Sequence, residues 1–361
     1  MLKIVEIIPI LSIRRGAETF FVNLCVALKK RKDVRLDVVL LYDEIDSSFV
    51  KTFEKHGIKP FLCHKTKGVD FKASKLFKKI LLDLNPDIIH THNCCFFTYY
   101  LAFGAKKRKW KYFHTCHSVP DVEATKLEHF FRKRLSQRGL ITNIGISPII
   151  SNDFRELYKV DFVPCVLNGI PLVDSIKNET KIYDFIICAS FDENKNHGLL
   201  LEAFSSLKNS RKLKMICVGD GPLLGRIKDL AKQKELSDNV VFTGSVSSVG
   251  KFLSVSKVFV LPSKNEGIPI SILEAMNYGL PIVASRVGGI PDIISDKNGI
   301  LFTSNSKEEL SNALNELINN KDLYDKISKY NMDYVKKFSI EKTAKEYIDI
   351  FESKYENNYK Q

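Results

Sequence analysis

An α/β chain of two doubly wound domains, each a parallel sheet with helices on both faces, is the fold class this sequence predicts. Three observations lead there. Short apolar strand-like runs alternate with stretches of helical period through both halves, the pattern of βαβ units. The alternation breaks once, at Asn168-Gly169-Ile170-Pro171, and restarts after polar residues that run up to Tyr183. At 361 residues, the chain exceeds what one hydrophobic core usually holds.

In the first half, Lys3 to Ile8 reads as a buried first strand. Ala17 to Lys30 is helical and Arg35 to Leu41 a strand. Phe71 to Leu84 has apolar residues at helical spacing. Asp87 to His90 and Tyr112 to His117 are strands, Glu123 to Arg138 a helix, and Leu140 to Ile146 a strand. Pro148 to Tyr158 is a helix, and Val163 to Leu167 is expected as a strand. The linker follows, marked by Gly and Pro.

The second half restarts with the strand Asp184 to Ala189, the helix Gly198 to Leu207 and the strand Leu213 to Val218. Leu223 to Gln233 is helical; Val240 to Thr243 and Lys257 to Leu261 are strands. A helix ending near Tyr278 comes next, then strands at Pro281 to Ala284 and Gly299 to Phe302. The last sixty residues or so are helical: Lys307 to Ile318, Asp322 to Lys336 and Ile340 to Tyr355. No solenoid repeat and no low-complexity tract interrupts this order.

Composition excludes several classes. A hydrophobic content of 44% fits a globular protein, and no run reaches the ~18 apolar residues of a spanning helix. Met1 to Glu6 carries an early acid and no cleavage-site pattern, so it does not read as a signal peptide. The eight cysteines form no C-x-x-C pair and several lie in apolar runs. They are expected to be reduced and buried in a cytosolic protein, with no structural metal.

The net charge of +13 is uneven. Residues 1–170 carry 29 Lys and Arg against 17 Asp and Glu, while residues 171–361 carry 26 against 25. Two causes fit: a solvated lysine-rich surface, or attraction to an anionic membrane face or an anionic acceptor. Lys72 to Leu82 is basic and amphipathic, either packing its apolar stripe on the sheet or lying on lipid. Lys106 to Phe113 mixes cations with aromatics, including the single tryptophan, Trp110, and reads better as a lipid-facing stretch. No nucleic-acid motif accompanies either, so nucleic acid is not an expected partner.

The most informative segment runs from Ser263 to Met276. It leaves an apolar strand-like run and enters a helix. Glu266 lies in the loop, and Glu274 lies about two turns into the helix at ~3.6 residues per turn. Pro269 suits the first helical turn, where its missing N–H costs nothing. The free N–H groups of that turn form an anion seat strengthened by the helix dipole. A phosphate seat flanked by two carboxylates suits a sugar nucleotide: sugar, diphosphate, ribose.

This segment resembles the glutamate-x7-glutamate signature of retaining family 4 glycosyltransferases of the GT-B fold. The match continues through Gly279-Leu280-Pro281-Ile282-Val283-Ala284-Ser285 and Val287-Gly288-Gly289-Ile290-Pro291-Asp292. The resemblance implies two Rossmann-like domains around a cleft. Residues 1–170 would be the acceptor side and residues 171–339 the nucleotide-sugar side. Residues 340–361 would be a C-terminal helix crossing back to the first domain.

It also implies site roles. Glu274 resembles the acid that holds the ribose hydroxyls, and Glu266 the acid near the donor sugar. Gly267, Ile268, Pro269 and Ile270 resemble the phosphate-binding start of the helix. Lys195, in Asp192-Glu193-Asn194-Lys195-Asn196-His197, resembles the lysine that meets the diphosphate. The family commonly has an arginine five positions earlier, where this chain has Ser190, which offers neither charge nor a guanidinium fork. Gly219 and Gly221 resemble the glycine-rich turn near the nucleotide, although such a motif alone is only a turn. Thr243 lines the base pocket or simply ends a strand.

In the first domain, Arg15-Gly16-Ala17-Glu18 resembles the family's Gly-Gly-x-Glu loop, with Arg15 replacing the first glycine. Gly16 would let backbone amides approach phosphate. No G-x-G-x-x-G follows the first strand, which argues against a nicotinamide enzyme. His90, His92, His114 and His117 lie near strand ends. His117 best resembles the histidine that touches the donor sugar. His92 and His114 read as structural or acceptor-side. The four lack companion carboxylates for a convincing metal site, and the family resembles metal-independent chemistry, so neither metal nor cofactor is expected.

The implied activity is hexosyl transfer with retention from a nucleoside diphosphate sugar, UDP by family frequency. The acceptor would be a hydroxyl of a glycan or lipid-linked acceptor, in capsule, O-antigen or exopolysaccharide assembly at the cytoplasmic membrane face of a bacterium. Two alternatives stay open: a sugar-nucleotide epimerase on the same fold, and a relative that binds but no longer turns over, suggested by Ser190 and Arg15.

Overall fold

A computed structural model describes residues 1–11, 16–68, 70–93, 110–120, 124–173, 179–207 and 212–356. The chain divides into two units: Met1–Pro171 with Ser339–Gln361, and Leu172–Phe338. Among the described residues each unit builds one six-stranded sheet, and the paired strands run parallel.

The first unit contains β1 (Leu2–Ile8), α1 (Gly16–Lys29), β2 (Val34–Leu40), α2 (Ser47–Lys55), β3 (Phe61–Leu62), α3 (Phe71–Leu84), β4 (Ile88–His92), β5 (Lys111–Cys116), α4 (Lys126–Gln137), β6 (Thr142–Gly145) and α5 (Pro148–Tyr158). Its strand order is β3-β2-β1-β4-β5-β6. The second unit contains β7 (Tyr183–Cys188), α6 (His197–Ser205), β8 (Met215–Val218), α7 (Leu224–Gln233), β9 (Val240–Phe242), α8 (Gly250–Leu253), β10 (Ser256–Leu261), α9 (Ile270–Asn277), β11 (Ile282–Ser285), α10 (Ile290–Ile293), β12 (Gly299–Phe302), α11 (Lys307–Asn319), α12 (Lys321–Tyr334) and a 3₁₀ turn at Val335–Phe338. Its order, β12-β11-β10-β7-β8-β9, is the same 3-2-1-4-5-6 winding. The order reverses between β1 and β4 and between β7 and β10, the switch points at whose carboxyl ends doubly wound sheets take their ligands.

Local sequence explains the helix ends. Asp70 caps α3 by accepting from Ala73 N at 2.9 Å, and Asn85 closes it in the left-handed region. Thr125 and Glu128 form a capping box at α4, which starts at Lys126 rather than Glu123. Ser147 caps α5, with Pro148 in its first turn. Each cap contributes about 1 kcal/mol.

The final helix, α13 (Ile340–Glu356), belongs to the first unit. Its buried apolar residues Ile340, Ala344, Tyr347, Ile348 and Phe351, with Thr343 beside them, form one stripe at helical spacing. That stripe packs on α1 and β5. Ile340 N donates to Ile170 O at 2.8 Å and Thr343 Oγ1 to Leu167 O at 3.2 Å, fixing the entry to the helix.

Several expectations change. Val163 to Leu167 is not a strand; it makes only an isolated bridge, Gly145 with Cys165. Pro164 supplies a carbonyl to Gly145 N but has no N–H to continue a ladder. Cys165 is exposed rather than buried. The α2 helix and the two-residue β3 were not anticipated, because α2 is short and β3 shows no alternation.

The two basic stretches also resolve in part. The α3 helix buries Phe77, Leu81 and Leu84 in the core and leaves Lys72, Lys75, Lys78 and Lys79 exposed. Trp110, just before β5, and Tyr112 and Phe113 within it are buried, with Trp110 and Tyr112 in the same core cluster as Phe77. Those aromatics therefore belong to the core rather than to a lipid-facing patch; residues 106–109 lie outside the described set. No helix among the described residues is long and apolar enough to cross a membrane.

Candidate functional site

Two clusters of chemistry-bearing residues sit at the carboxyl ends of the central strands. In the second unit, the loop after β7 carries Lys195 and the loop after β10 carries Glu266. Lys195 Nζ pairs with Glu266 Oε1. The same oxygen accepts from Ser263 Oγ at 2.6 Å. Ser263 is itself held through its carbonyl, which accepts from Ser285 Oγ at the end of β11.

Each loop is braced. Asp192 Oδ1 accepts from the backbone of Asn194 at 2.9 Å and of Lys195 at 3.1 Å. Its Oδ2 accepts from Ser190 Oγ at 2.5 Å. Ser190 thus organises the loop that presents Lys195. Asn194 ties the two loops together, donating to Asn265 O at 2.8 Å and accepting from Asn265 N at 2.9 Å.

Beyond Glu266 the chain enters α9. Pro269 is the N-cap, in an extended conformation, and Ile270 is the first helical residue. Pro269 therefore stands one position earlier than the first-turn place its sequence suggests, and no side chain caps the helix start. Gly267 precedes this start, and Ile268 and Ile270 are buried against the core. Glu274 lies inside α9 and is half-buried. Burial first, then the charge of Glu274, raises the Cys188 thiol at the end of β7.

Gly219 and Gly221 follow β8. At Gly219, φ is +140° and an added Cβ would lie 2.0 Å from Ala189 O, so only glycine lets this turn press against the loop after β7. Gly221 approaches Phe191 in the same way. Thr243 directly follows β9; its hydroxyl donates to Gly244 O at 2.8 Å. His197, the first residue of α6, stacks on Phe191 at 4.0 Å. It is buried, finds no hydrogen-bond partner among the described residues, and burial lowers its pKa to about 4.

The first-unit cluster is built around a residue the sequence reading missed. Glu6, in the middle of β1, is wholly buried and lies in register beside His90 of β4. Its Oε1 is 2.9 Å from His90 Nδ1 and its Oε2 is 3.0 Å from His92 Nε2. His90 Nε2 meets Thr115 Oγ1 at 2.8 Å, and Thr115 Oγ1 meets Tyr347 OH of α13 at 2.9 Å. On the other side, His92 Nδ1 lies 2.9 Å from His117 Nε2. Phe20 and Phe21 of α1 wall the rings, Phe20 edge-on to His117 at 5.7 Å and Phe21 edge-on to His92 at 5.2 Å.

Burial alone would raise the Glu6 carboxyl, but facing His90 and His92 outweighs it and brings the pKa down to about 2. Burial lowers His92 to about 4, and it lowers His117 and His114 well below the ordinary histidine range. His114 instead bonds Thr91 Oγ1 at 2.9 Å inside the sheet. A companion carboxylate for the histidines thus exists, contrary to the sequence expectation. Glu6, His90 and His92 bring one potential ligand atom each within 4.8 Å of one another. The telling signal was one acid in an otherwise apolar strand after Lys3, Ile4-Val5-Glu6-Ile7-Ile8.

Gly16 opens α1 and is exposed. Arg15 lies outside the described residues. The structure brings Lys195, Glu266 and the α9 start together in the second unit, and His117 joins a network of its own in the first.

Residues 173–333 match the family of glycosyl transferases group 1, and residues 14–173 match glycosyltransferase family 4. An uncharacterized glycosyltransferase of Methanocaldococcus jannaschii is 27% identical over 334 residues, covering 90% of this chain and 92% of that protein. The N-acetyl-alpha-D-glucosaminyl L-malate synthase of Bacillus anthracis is 26% identical over 287 residues, 74% of this chain and 74% of that protein. Crystal structures of Anabaena HepE in complex with UDP and with UDP-glucose superpose with a TM-score of 0.79 at 17% identity, covering 98% of this chain and 100% of that chain.

Proposed function

We propose, for a chain that belongs to the family 4 glycosyltransferases of GT-B fold, that the transferred group is a hexosyl residue of a UDP-sugar and that the configuration at its anomeric carbon is retained. The observation that carries this reading is the braced Lys195–Glu266 pair in front of the uncapped start of α9. Lys195 and the backbone N–H groups at the start of α9, from Ile270 onward, supply positive charge where a diphosphate leaving group gains negative charge. Glu274 holds the ribose hydroxyls. Gly219, Gly221 and Thr243 border the nucleoside, and Ser190 acts through Asp192 on the position of Lys195.

In the proposed reaction the bond from the sugar's anomeric carbon to the diphosphate oxygen breaks, and a bond from that carbon to an acceptor hydroxyl oxygen forms on the same face. The acceptor proton passes to the departing phosphate oxygen. Glu266 stands beside the donor sugar, and in the first unit we propose His117 and Gly16 as functional residues. Surface glycan assembly, with a glycan or lipid-linked acceptor, is the setting we favour. The exposed lysines of α3 give the first unit a face suited to anionic lipid. The UDP and UDP-glucose complexes of HepE support the nucleotide choice.

Thermal stabilisation by UDP, GDP, ADP, dTDP and CMP tests the reading directly. A ligand that binds the native state raises its stability by mass action. A shift with UDP that is lost in Glu274→Ala is expected, together with sugar transfer that Lys195→Ala abolishes. Full transfer in both variants would refute the site; UDP binding without turnover on any acceptor extract would point to a binding protein.

A further inference from the structure

Two helical layers cover the sheet of the first unit, one on each face. Tyr112 and Phe113 are consecutive in β5, so they point to opposite faces. Phe113 meets Phe351 of α13 at 4.6 Å, on the face that α13 and α1 cover. Tyr112 joins the core cluster that holds Phe77 and Leu81 of α3 and Leu135 of α4. The α3 and α4 helices therefore belong to one layer, and their outward sides lie on the same side of this unit.

Those outward sides are cationic and apolar together. On α3, Phe71 is 82% exposed and shares a stripe at i, i+4 and i+7 with Lys75 and Lys78; Lys72 and Lys79 flank it, and all four lysines are exposed. On α4, Leu127 (61% exposed), Phe130 (49%) and the exposed Arg134 fall at i, i+3 and i+7, with Lys126 beside them. The Arg134 guanidinium lies 4.4 Å over the Phe130 ring. Among the described residues none of these cations forms an ion pair, and Asp83 is the one acid within α3. Lys72 stands in the first turn, where the helix dipole disfavours a cation, and the lysines repel one another across one turn. The α3 helix thus carries a charge pattern that weakens it in isolation and that an external anionic surface relieves.

We propose that this layer docks the first unit on an anionic phospholipid bilayer, with the α3 lysines, Lys126 and Arg134 against the headgroups and Phe71, Leu127 and Phe130 at the boundary with the acyl chains. The docking rests on the setting proposed above, a lipid-linked acceptor, and adds to the α3 lysines the apolar anchors that hold a protein at an interface. A soluble polyanion such as nucleic acid would engage the cations and leave the apolar side chains in water. A bilayer takes up both. The charge of residues 1–170, 29 Lys and Arg against 17 Asp and Glu, draws this unit rather than the other towards such a surface.

Co-sedimentation of the full-length protein with vesicles of phosphatidylcholine alone, and of phosphatidylcholine mixed with phosphatidylglycerol, tests the docking. Expected is binding to the mixed vesicles that weakens as salt is added, and none to phosphatidylcholine alone. Leu127→Ser with Phe130→Ser should weaken that binding roughly 10-fold or more. Lys75→Gln with Lys78→Gln should weaken it roughly 5-fold per lysine. Stabilisation by UDP should persist in both. Lys29→Gln with Lys30→Gln makes the same charge change at the exposed end of α1, on the other face of the sheet, and should have little effect. Equal losses from the two lysine pairs would mean that net charge acts rather than this face, and would overturn the proposal. So would the absence of binding to mixed vesicles, or capture by double-stranded DNA that the Leu127 and Phe130 substitutions leave intact while vesicles are ignored. The wild-type comparison of the two vesicles keeps the test decisive even if a variant does not fold. Vesicle binding by a protein that neither binds UDP nor transfers sugar would refute the proposed function and leave the docking in place. UDP binding and transfer without vesicle binding would refute only the docking.

Discussion

Gly288 lies so close to Glu266 that a Cβ at position 288 would stand 1.8 Å from the Glu266 carbonyl oxygen. The contact is with backbone, which cannot turn aside as a side chain would. Gly288 also has φ +50°, where an L-residue is strained, and Gly289 N donates to the same carbonyl at 3.1 Å. The Gly-Gly pair after β11 is therefore the platform on which the Glu266 loop rests. Gly288→Ala should cost about 2 kcal/mol or more, lowering Tm by roughly 4–8 °C, and should reduce transfer by shifting Glu266. Calorimetry with a transfer assay checks both, and an unchanged Tm would show that the loop is not seated there.

Lys195 and Glu274 are assigned to different parts of one ligand, so their variants should fail differently. Lys195→Ala removes charge next to the diphosphate and should weaken UDP while sparing uridine. Glu274→Ala should weaken both, because each carries the ribose. A lost hydrogen bond to a charged group is worth about 1.5–3 kcal/mol, or roughly 10- to 150-fold in Kd. Calorimetric titration with the two ligands separates the cases. Equal loss of uridine and UDP in Lys195→Ala would show that this lysine holds up the site rather than meeting phosphate.

Acid should destabilise the fold in a defined window. His92 and His197 are lowered from 6.5 to about 4 by burial, and His114 and His117 move the same way. Above pH 6.5 the rings are neutral in both folded and unfolded chains, and their contribution is fully present. As pH falls from 6.5 towards 4 the unfolded chain binds protons that the folded chain refuses, so stability is lost. His92 and His197 are each worth on the order of a few kcal/mol over that range. Glu6, lowered from 4.5 to about 2, adds stability above pH 4.5 that is lost on further acidification. Chemical unfolding should therefore give a plateau near neutrality and a steep fall from pH 6.5 to 4. A flat profile down to pH 5 would mean that these rings are solvated.

Much of this was legible in the sequence, for physical reasons. Alternating apolar runs such as Asp184 to Ala189 and Lys257 to Leu261 mark buried parallel strands, and a parallel sheet forces crossover helices. Loops after those strands carry Lys195 and Glu266, since ligands meet such sheets at the strand ends. The pairing of those two residues, 71 positions apart, follows only from strand order, which no local pattern encodes. Glu6 was hidden for a related reason: an acid in a first strand is stable only with partners on β4, and register cannot be read from one strand. Trp110 misleads because dense neighbouring lysines look like a surface, whereas the residue is buried in the core cluster with Phe77 and Tyr112. Val163 to Leu167 reads as a strand, but it makes only an isolated bridge, because Pro164 denies it a ladder.

Tyr347 joins the returning helix to the first sheet in two ways that substitution can separate. Its ring is fully buried, 4.9 Å from the His90 ring and 5.9 Å from Phe351. Its hydroxyl meets Thr115 Oγ1 at 2.9 Å. For a neutral His90, whose one proton goes to Glu6, Thr115 donates to His90 Nε2 and the Tyr347 hydroxyl donates to Thr115. Removing that hydroxyl leaves Thr115 its other partner and orphans no donor. Tyr347→Phe should therefore cost only about 1 kcal/mol. Tyr347→Ala removes the ring as well and should cost about 3–5 kcal/mol through the cavity, loosening α13 from α1 and β5. Denaturant unfolding, with hydrogen exchange read along α13, separates the two effects. If Phe proves as damaging as Ala, the hydroxyl carries the anchoring and the network from Glu6 is itself what fastens the helix.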